Sequence, residues 1–255
     1  PLHDVKRHYK PADRLKELRH SSGLDKLEIT ALNFLELIKR QAKVPWTKMG
    51  VSGSLLVRLH TLTSDIDPVI YGTKNCLKAY EALKILQQDA RSAVEPYSIQ
   101  ELRELFHFRV QDTQVSFEDF VRTESRKVLQ GKFKGRDYFV RFVRDWSEIR
   151  EKYREVRYRN TGYARIKAEI AGDSQAIFTP CGYKLKNAKV LEGFNPHNSV
   201  EEIASFRGRF CEQARIGEVV VAQGKVEHVM DSRQNREYFR LLLGNKPSDW
   251  MILKR

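Results

Sequence analysis

The amino-acid sequence predicts an α+β protein of two domains, and the spacing of its apolar residues is the main reason. In the first half of the chain apolar residues recur at helical spacing, whereas in the second half they alternate with charged residues as in half-buried strands. A chain of 255 residues is long enough for two domains of ordinary size. We expect the boundary near Asn160–Gly162. This gives a first domain of residues 1–160 and a β-rich, barrel-like domain of residues 161–255.

Four long helices are expected in the first domain. Segments 25–40 and 77–90 each place an apolar residue at every third or fourth position, which indicates an amphipathic helix. Ser98 begins a Ser-x-x-Glu capping box, so a helix is expected to start there. Another is expected to start at Ser116 and to stop at Gly131, because glycine favours helix ends.

The second domain is expected to consist of strands. Segments 163–170 and 183–190 alternate apolar and polar residues. Residues 219–230 and 238–243 are expected to form two further strands joined by a polar turn at 232–235. Glycines recur between these segments, as the corners of small barrels often require.

Composition excludes several classes of protein. No run approaches the roughly 18 apolar residues of a membrane span, and the charged N-terminus does not resemble a signal peptide. The three cysteines, Cys76, Cys181 and Cys211, show no metal-binding spacing. Their small number and wide separation predict buried thiols in a reducing compartment, the cytoplasm.

The charge of the chain predicts an anionic partner. The formal net charge is +13 and the pI is near 9.6. Arg122–Arg159 is the most basic stretch, with thirteen Lys or Arg residues against six acids and with aromatic residues between them. Basic residues neutralise phosphates and aromatic rings stack on unpaired bases, so contact with RNA or DNA is expected there. The alternative is a solvated helix over 148–159, stabilised by Glu–Arg pairs.

Two aspartates separated by one residue, Asp65 and Asp67, form the most informative motif. Alternate side chains of a strand share a face, so their Cα atoms are expected about 7 Å apart with both carboxylates on one side. Two carboxylates so placed can bind one divalent ion, or two ions in the arrangement used for in-line phosphoryl transfer. The motif therefore predicts a metal site for Mg²⁺ or Mn²⁺.

A Gly-Ser pair precedes this motif in the sequence. Gly53 allows the backbone to approach a phosphate closely, and Ser54 supplies a hydroxyl at the start of a short predicted helix. Together they are expected to bind the phosphates of a nucleoside triphosphate such as ATP, while the aspartates bind its metal.

In these residues the sequence resembles the nucleotidyltransferase superfamily of DNA polymerase beta. Its signature is a Gly-Ser or Gly-Gly helix start followed by Asp-x-Asp on the next strand, and Gly53, Ser54, Asp65 and Asp67 match it one by one. The resemblance implies a nucleotidyltransferase-like mixed sheet with helices. One departure is Pro68, where the pattern has an apolar residue other than proline. Proline removes a ladder N–H, so this strand is expected to be an edge strand or to be bulged.

More narrowly, the chain is similar to a group of archaeal proteins predicted to be nucleotidyltransferases of undefined substrate. This resemblance runs over most of the chain and rests on the segments GSLLVRLH, SDIDPVIYG, RFCEQARIGEVVVAQGKVE and YFRLLLGN. Members of the group carry an additional N-terminal segment. A segment before residue 1 is therefore expected.

The resemblance also implies a third carboxylate on a later strand, as metal ligand or as base for the acceptor hydroxyl. Asp137 begins the first convincing strand after Asp67 and is the preferred candidate, although a turn residue after Gly135 is an equally good interpretation. Glu118 and Asp119 lie in the first turn of a predicted helix, where a capping role already explains them. Glu169 on a later strand is the reserve candidate.

Two hypotheses follow. The first is an enzyme that uses Mg²⁺ to transfer a nucleoside monophosphate to an acceptor hydroxyl and releases pyrophosphate. The second is a non-catalytic RNA- or DNA-binding protein that keeps a nucleotidyltransferase-like scaffold. The sequence does not distinguish RNA, protein or a small molecule as acceptor, nor does it identify the base of the nucleotide or the oligomeric state.

Overall fold

The protein divides into two compact units, each built from two separate segments of the chain. The computed structural model describes residues 2–111 and 115–254, except for the side chain of Leu2. The first unit contains the residues up to Tyr97 together with Val128–Glu148, and the second contains Ser98–Lys127 together with the residues from Ile149 onward. About 31% of the chain is helix and 35% is strand, so the α+β class is confirmed.

The elements are numbered here in chain order. The helices are α1 Pro11–His20, α2 Lys26–Ala42, α3 Gly53–Val57, α4 Thr73–Gln88, α5 Ile99–Arg109 and α6 Phe117–Glu124. The strands are β1 Met49–Val51, β2 Pro68–Tyr71, β3 Val94–Glu95, β4 Gln130–Phe133, β5 Arg136–Phe139, β6 Arg141–Val143, β7 Val156–Gln175, β8 Cys181–Gly193, β9 Val200–Ser205, β10 Val219–Asp231, β11 Arg236–Leu243 and β12 Trp250–Leu253. Short 3₁₀ turns lie at Leu2–Asp4, Trp46–Lys48, Trp146–Glu148 and Gly208–Phe210.

The helix starts follow the capping residues in the sequence. The Asp25 carboxylate accepts hydrogen bonds from the first-turn amides of α2, and Ser98 and Ser116 begin α5 and α6 as predicted. The predicted stop at Gly131 is wrong, because α6 ends at Glu124 and Gly131 lies in β4. A Cβ on Gly131 would come within 2.4 Å of the Glu95 carbonyl oxygen, so close contact with β3 explains this glycine.

The first unit contains two three-stranded sheets. In the order β1-β2-β6, β2 pairs antiparallel with β1 and parallel with β6, which makes the sheet mixed. The second sheet, β3-β4-β5, is antiparallel. Ile66, two residues before β2, forms a parallel bridge with Tyr138 of β5. The ring of Phe34 on α2 packs on Phe133 and Tyr138, with ring centroids 4.8 and 4.6 Å apart.

Strand β2 is central in its sheet, so the expectation of an edge strand at Pro68 is wrong. Pro68 pairs with Val51 of β1, and the pairing of β2 with β6 begins one residue later, at Val69. Val140, between β5 and β6, donates its N–H to Leu129 O. Both pairings of β2 run without a register shift, so the strand is not bulged at Pro68 either.

The second unit contains one six-stranded sheet in the order β11-β9-β8-β7-β10-β12, in which β11 also pairs with β10. The β9–β11 pair is parallel and the other pairs are antiparallel. Within the described part of the chain, β12 pairs with β10 alone. The six strands therefore do not all join in one ring, and the barrel-like prediction is met only in part. Because β11 pairs with both β9 and β10, the five strands β7 to β11 pair in a closed cycle, and β12 is added at its edge.

The expected domain boundary at Asn160–Gly162 falls inside β7. Val226 lies opposite Gly162, and Glu227 lies opposite Asn160, so Thr161 is an extra residue on β7. Its hydroxyl donates to Val226 O at 3.0 Å, and Gly162 has φ +146°. The polar, glycine-containing stretch marks a β-bulge.

Candidate functional site

The Gly-Ser pair and the Asp-x-Asp motif lie side by side in the first unit. Strand β1 leads into α3, and β2 is its antiparallel neighbour. The pairing continues beyond β1, because the Ser52 N–H donates to Asp67 O at 2.8 Å and the Ser52 hydroxyl lies 3.2 Å from the same oxygen. The start of α3 is therefore fixed against the aspartate motif by backbone hydrogen bonds.

Gly53 lies against the Asp67 carboxylate. A Cβ on residue 53 would come within 1.9 Å of Asp67 Oδ2, and the backbone at Gly53 has φ +60°. Both facts favour glycine here, since the conformation is left-handed and there is no room for a side chain. The sequence motif is thus explained by packing of residue 53 on the carboxylate.

Asp65 and Asp67 share one face of the chain. Ile66 between them is completely buried and pairs with the buried Tyr138, so the flanking aspartates are directed to the opposite side. The pKa of Asp67 is raised to about 6, first by burial and then by the negative charge of Asp65, while Arg141 acts in the opposite direction. Placing the two carboxylates together therefore carries an electrostatic cost that a cation would offset.

Ser54 has a hydroxyl without a partner. Its Oγ is buried and makes no hydrogen bond within the described residues. Buried hydroxyls are ordinarily hydrogen-bonded, because a buried polar group without a hydrogen-bond partner loses its hydration without compensation. The hydroxyl is next to Gly53, so a ligand oxygen bound there would meet an available donor.

Asp137 lies on the strand that neighbours the aspartate motif. The Ile66 N–H donates to Asp137 O at 2.9 Å, and the Phe139 N–H donates to Ile66 O at 3.0 Å. Because Ile66 is in register with Tyr138, Asp137 is directed to the same face as Asp65. Its carboxylate is half exposed, and Oδ1 lies 3.3 Å from Lys132 Nζ on β4.

The competing carboxylates have other partners. The Ser116 hydroxyl accepts from the Asp119 N–H and donates to its carboxylate, which agrees with a capping role, and Glu118 lies in the same first turn of α6. Glu169 lies on β7 of the second unit, where its carboxylate is 2.7 Å from Lys186 Nζ.

Arg14, which binds a backbone carbonyl in the middle of α3, was not predicted from the sequence. The Arg14 side chain is 8% exposed; its Nε donates to Leu55 O at 2.9 Å, and Nη2 lies 2.5 Å from Glu28 Oε1. Arg14 is 41 residues from Leu55 in sequence. Local spacing carries no signal for such a contact, and only the tertiary structure shows it.

A second acidic cluster in the first unit has a structural explanation. Asp25, Glu28 and His60 place one ligand atom each within 4.8 Å of one another, the only such group of three within residues 2–111 and 115–254. Both carboxylates already serve the capping box of α2, Glu28 also pairs with Arg14, and His60 Nε2 lies 2.6 Å from Asp25 Oδ2. The cluster joins the end of α3 to the start of α2.

The basic segment Arg122–Arg159 is not one surface in the structure. Its beginning and end belong to the second unit and its middle to the first. Glu148 ends a 3₁₀ turn, residues 149–152 have no regular structure, 153–155 form a turn and β7 begins at Val156, so the alternative of a solvated helix over 148–159 is wrong. Several of its basic side chains are paired: Arg126 contacts Glu218, Lys127 contacts Glu124, and Lys132 contacts Asp137.

Cys76, Cys181 and Cys211 are free and buried. None of the described helices has the length and apolar character needed to cross a membrane.

Comparison with known proteins gives a relative without a known role. The chain is 37% identical over 210 residues to a Methanocaldococcus jannaschii protein described as "Uncharacterized protein MJ1086". The matched region covers 82% of this chain and 59% of that protein. No protein-family model and no solved structure matches the chain.

Proposed function

We propose that the first unit is a divalent-cation-dependent nucleotidyltransferase, which transfers a nucleoside monophosphate from a nucleoside triphosphate to an acceptor hydroxyl. The observation that supports it best is the contact between Gly53 and the Asp67 carboxylate, with Asp65 on the same face. This contact joins two sequence motifs 12 residues apart into one site, and the superfamily resemblance rests on the same residues.

The donor set at this site suits Mg²⁺ or Mn²⁺. Both ions prefer carboxylate oxygens, and Asp65 and Asp67 are the residues that would hold them. When bound, such an ion neutralises phosphate charge and orients the reacting groups. The raised pKa of Asp67 supports this assignment, because a cation would relieve the repulsion between the two carboxylates.

The start of α3 is proposed to bind the phosphates. Gly53 has no side chain to keep a phosphate from the backbone, and the unpartnered Ser54 hydroxyl can donate to a phosphate oxygen. Asp137 is proposed to accept the proton of the acceptor hydroxyl, because it faces the same side as Asp65 on the adjacent strand.

The test is a transfer assay with the full chain. Each labelled nucleoside triphosphate is incubated with Mg²⁺ or Mn²⁺ and either total cellular RNA or total protein. Label incorporated into one polymer identifies both nucleotide and acceptor. Asp67→Asn and Asp65→Asn should each reduce incorporation at least about a thousandfold, equivalent to about 4 kcal/mol. Incorporation that survives in both variants would rule out the proposed site.

The second hypothesis, nucleic-acid binding on a scaffold without transfer activity, is favoured by a lysine cluster in the second unit that is described below. The two hypotheses are separable, because the cluster and the aspartate motif belong to different units. We also propose the cytoplasm as the site of action, since three free thiols suit a reducing compartment.

A further inference from the structure

Three lysines meet on one face of the sheet in the second unit. Lys167 on β7 lies directly opposite Lys189 on β8. On its other side Lys167 is in register with Val221 of β10, which is in register with Ile252 of β12. Lys254 follows β12, and its N–H donates to Val219 O at 2.8 Å. We call Lys167, Lys189 and Lys254 the lysine row.

The lysine row faces away from the core. Ile166 and Ala168, the neighbours of Lys167 in sequence, are 0% and 1% exposed, so Lys167 is directed to the outer face. Lys189 and Lys254 are exposed. The row is therefore accessible to a ligand of the second unit.

No acid neutralises the lysine row within the described residues. The other lysines of this sheet are paired: Lys184 with Glu202, Lys186 with Glu169 and Lys225 with Glu227, each at 2.6–2.7 Å. Like charges directly opposite each other on neighbouring strands are destabilising. In agreement, the pKa of Lys167 is lowered, first by Lys254 and then by Lys189. The lysine row costs stability, although neighbouring lysines on the same sheet are paired with acids. This contrast points to an external anion as the partner of the row.

Aromatic rings accompany the row on the same face. Arg165 and Tyr163 precede Lys167 at alternate positions of β7, so they share its side. The Arg165 guanidinium lies 5.7 Å from the Trp250 ring centroid, and Lys246 Nζ lies 4.2 Å from that of Tyr163. Cations beside aromatic rings are the usual platform for stacked, unpaired bases next to their phosphates.

We propose that this face of the second unit binds single-stranded nucleic acid, with the lysine row on the phosphates and Trp250 and Tyr163 beside the bases. A single strand is favoured over a duplex because a duplex does not expose the faces of its bases for stacking. The proposal places nucleic-acid contact on the outer face of β7, β8 and β12 instead of the segment 122–159. It does not depend on the transfer reaction.

The experiment measures binding of the full chain to a fluorescent 12-nucleotide RNA, its DNA counterpart and the same RNA as a duplex, at several salt concentrations. The test variant replaces Lys167, Lys189 and Lys254 together with glutamine. The matched control replaces Lys184, Lys186 and Lys225 with glutamine, which removes the same charge from paired lysines of the same sheet. A separate variant, Trp250→Leu, tests stacking.

The unaltered protein should bind a single strand more tightly than the duplex. The test variant should bind at least about tenfold more weakly at low salt. The slope of log affinity against log salt should become shallower by about 2, because each of the three lysines contributes about 0.7 when it neutralises a phosphate of a single strand. The control should stay within about threefold. Trp250→Leu should weaken binding about fivefold or more, since stacking contributes about 1–3 kcal/mol per base. The test variant should unfold at the same or a higher temperature, because repulsion is removed.

Three results would each overturn the proposal: equal losses in the two triple variants, a preference for the duplex, or undiminished binding by the test variant. Absence of nucleic-acid binding, with binding of anionic lipid vesicles that the test variant loses, would reassign the face to a membrane surface. None of these outcomes would affect the transfer assay of Asp67→Asn, so the two proposals fail independently.

Discussion

The carboxylate of Asp67 occupies the space that a Cβ of residue 53 would need, with Oδ2 only 1.9 Å from that position. Gly53 and Asp67 therefore depend on each other, although 14 positions separate them in sequence. Any side chain at residue 53 must displace the carboxylate, and this coupling makes the proposed metal site accessible to a simple steric test.

Gly53→Ala should disrupt the proposed metal site in addition to straining the backbone at residue 53. The left-handed backbone costs about 1 kcal/mol for alanine, and the collision with Asp67 adds to this. Affinity for the Mg²⁺–triphosphate complex, measured by calorimetry, should fall at least about tenfold. Gly135→Ala is the matched control, since Gly135 has φ +73° but nothing within 4 Å of its Cβ position. If both variants lose stability equally and keep binding, the contact has no role in the site.

Asp67→Asn should stabilise the metal-free protein at neutral pH. The folded pKa of Asp67, about 6, is above the ordinary value of 3.8, so the folded state holds this proton more tightly than the unfolded state. The stability of the unaltered protein should therefore fall as pH rises from about 4 to 6 and stay lower above it. Asparagine removes this loss, which is about 1–3 kcal/mol. Urea unfolding in EDTA at pH 4 and pH 8 checks it.

The control for this variant is Asp231→Asn, for which the opposite sign is expected. Hydrogen bonding to Arg233 lowers the pKa of Asp231, so asparagine there should destabilise the protein at pH 8. A metal-free Asp67→Asn protein that is less stable than the unaltered one at pH 8 would contradict the raised pKa. Adding Mg²⁺ and ATP should then stabilise the unaltered protein more than Asp67→Asn.

Ser54→Ala should separate ligand binding from stability. Because the Ser54 hydroxyl has no partner, its removal should leave the unfolding temperature unchanged or slightly raised. Triphosphate affinity should fall about 10- to 150-fold, the value of one hydrogen bond to a charged group, while monophosphate affinity changes less. Ser116→Ala is the control: it should cost about 1 kcal/mol of stability through the cap of α6 and leave nucleotide affinity alone. Equal losses for tri- and monophosphate would leave Ser54 with a structural role only.

Asp137→Asn should reduce transfer about 10²- to 10⁴-fold and change Mg²⁺–triphosphate affinity by only a few fold, as expected of a base that does not hold the nucleotide. Lys132→Met removes the partner of Asp137 but keeps the carboxylate, so its transfer rate should stay close to normal. Glu169→Gln loses a surface ion pair worth about 1 kcal/mol or less and should also transfer normally. Transfer abolished by Glu169→Gln and retained by Asp137→Asn would reverse the assignment.

Much of the fold could be predicted from local signals. The caps at Ser98 and Ser116 are confirmed, because a capping residue and its target amide lie within three positions of each other. The alternation in 163–170 likewise predicted the buried side of β7, where Ile166 and Ile170 are fully buried.

The errors arose where a distant part of the chain decides the role of a residue. Gly131 resembles a helix stop, but the Glu95 carbonyl oxygen across β3 is what requires a glycine. Pro68 resembles an edge residue, but it lies in the central strand of its sheet, between β1 and β6. At the candidate site, the sequence motifs predicted roles for Gly53, Ser54, Asp65 and Asp67, which stay predictions. They contained no indication of Arg14 or Arg141, whose contacts span many residues.

The division of both units between separated segments has a consequence for synthesis and folding. Strand β6, which pairs with β2, lies more than 60 residues beyond it in the chain, after a segment that belongs to the second unit. On the ribosome, the sheet that carries Asp67 therefore cannot be completed until residues 141–143 have emerged. Contacts so distant in sequence slow folding, because a long loop must close before they form. We expect nascent chains that end before residue 140 to need chaperones, which would keep them from aggregating until this strand has been synthesised.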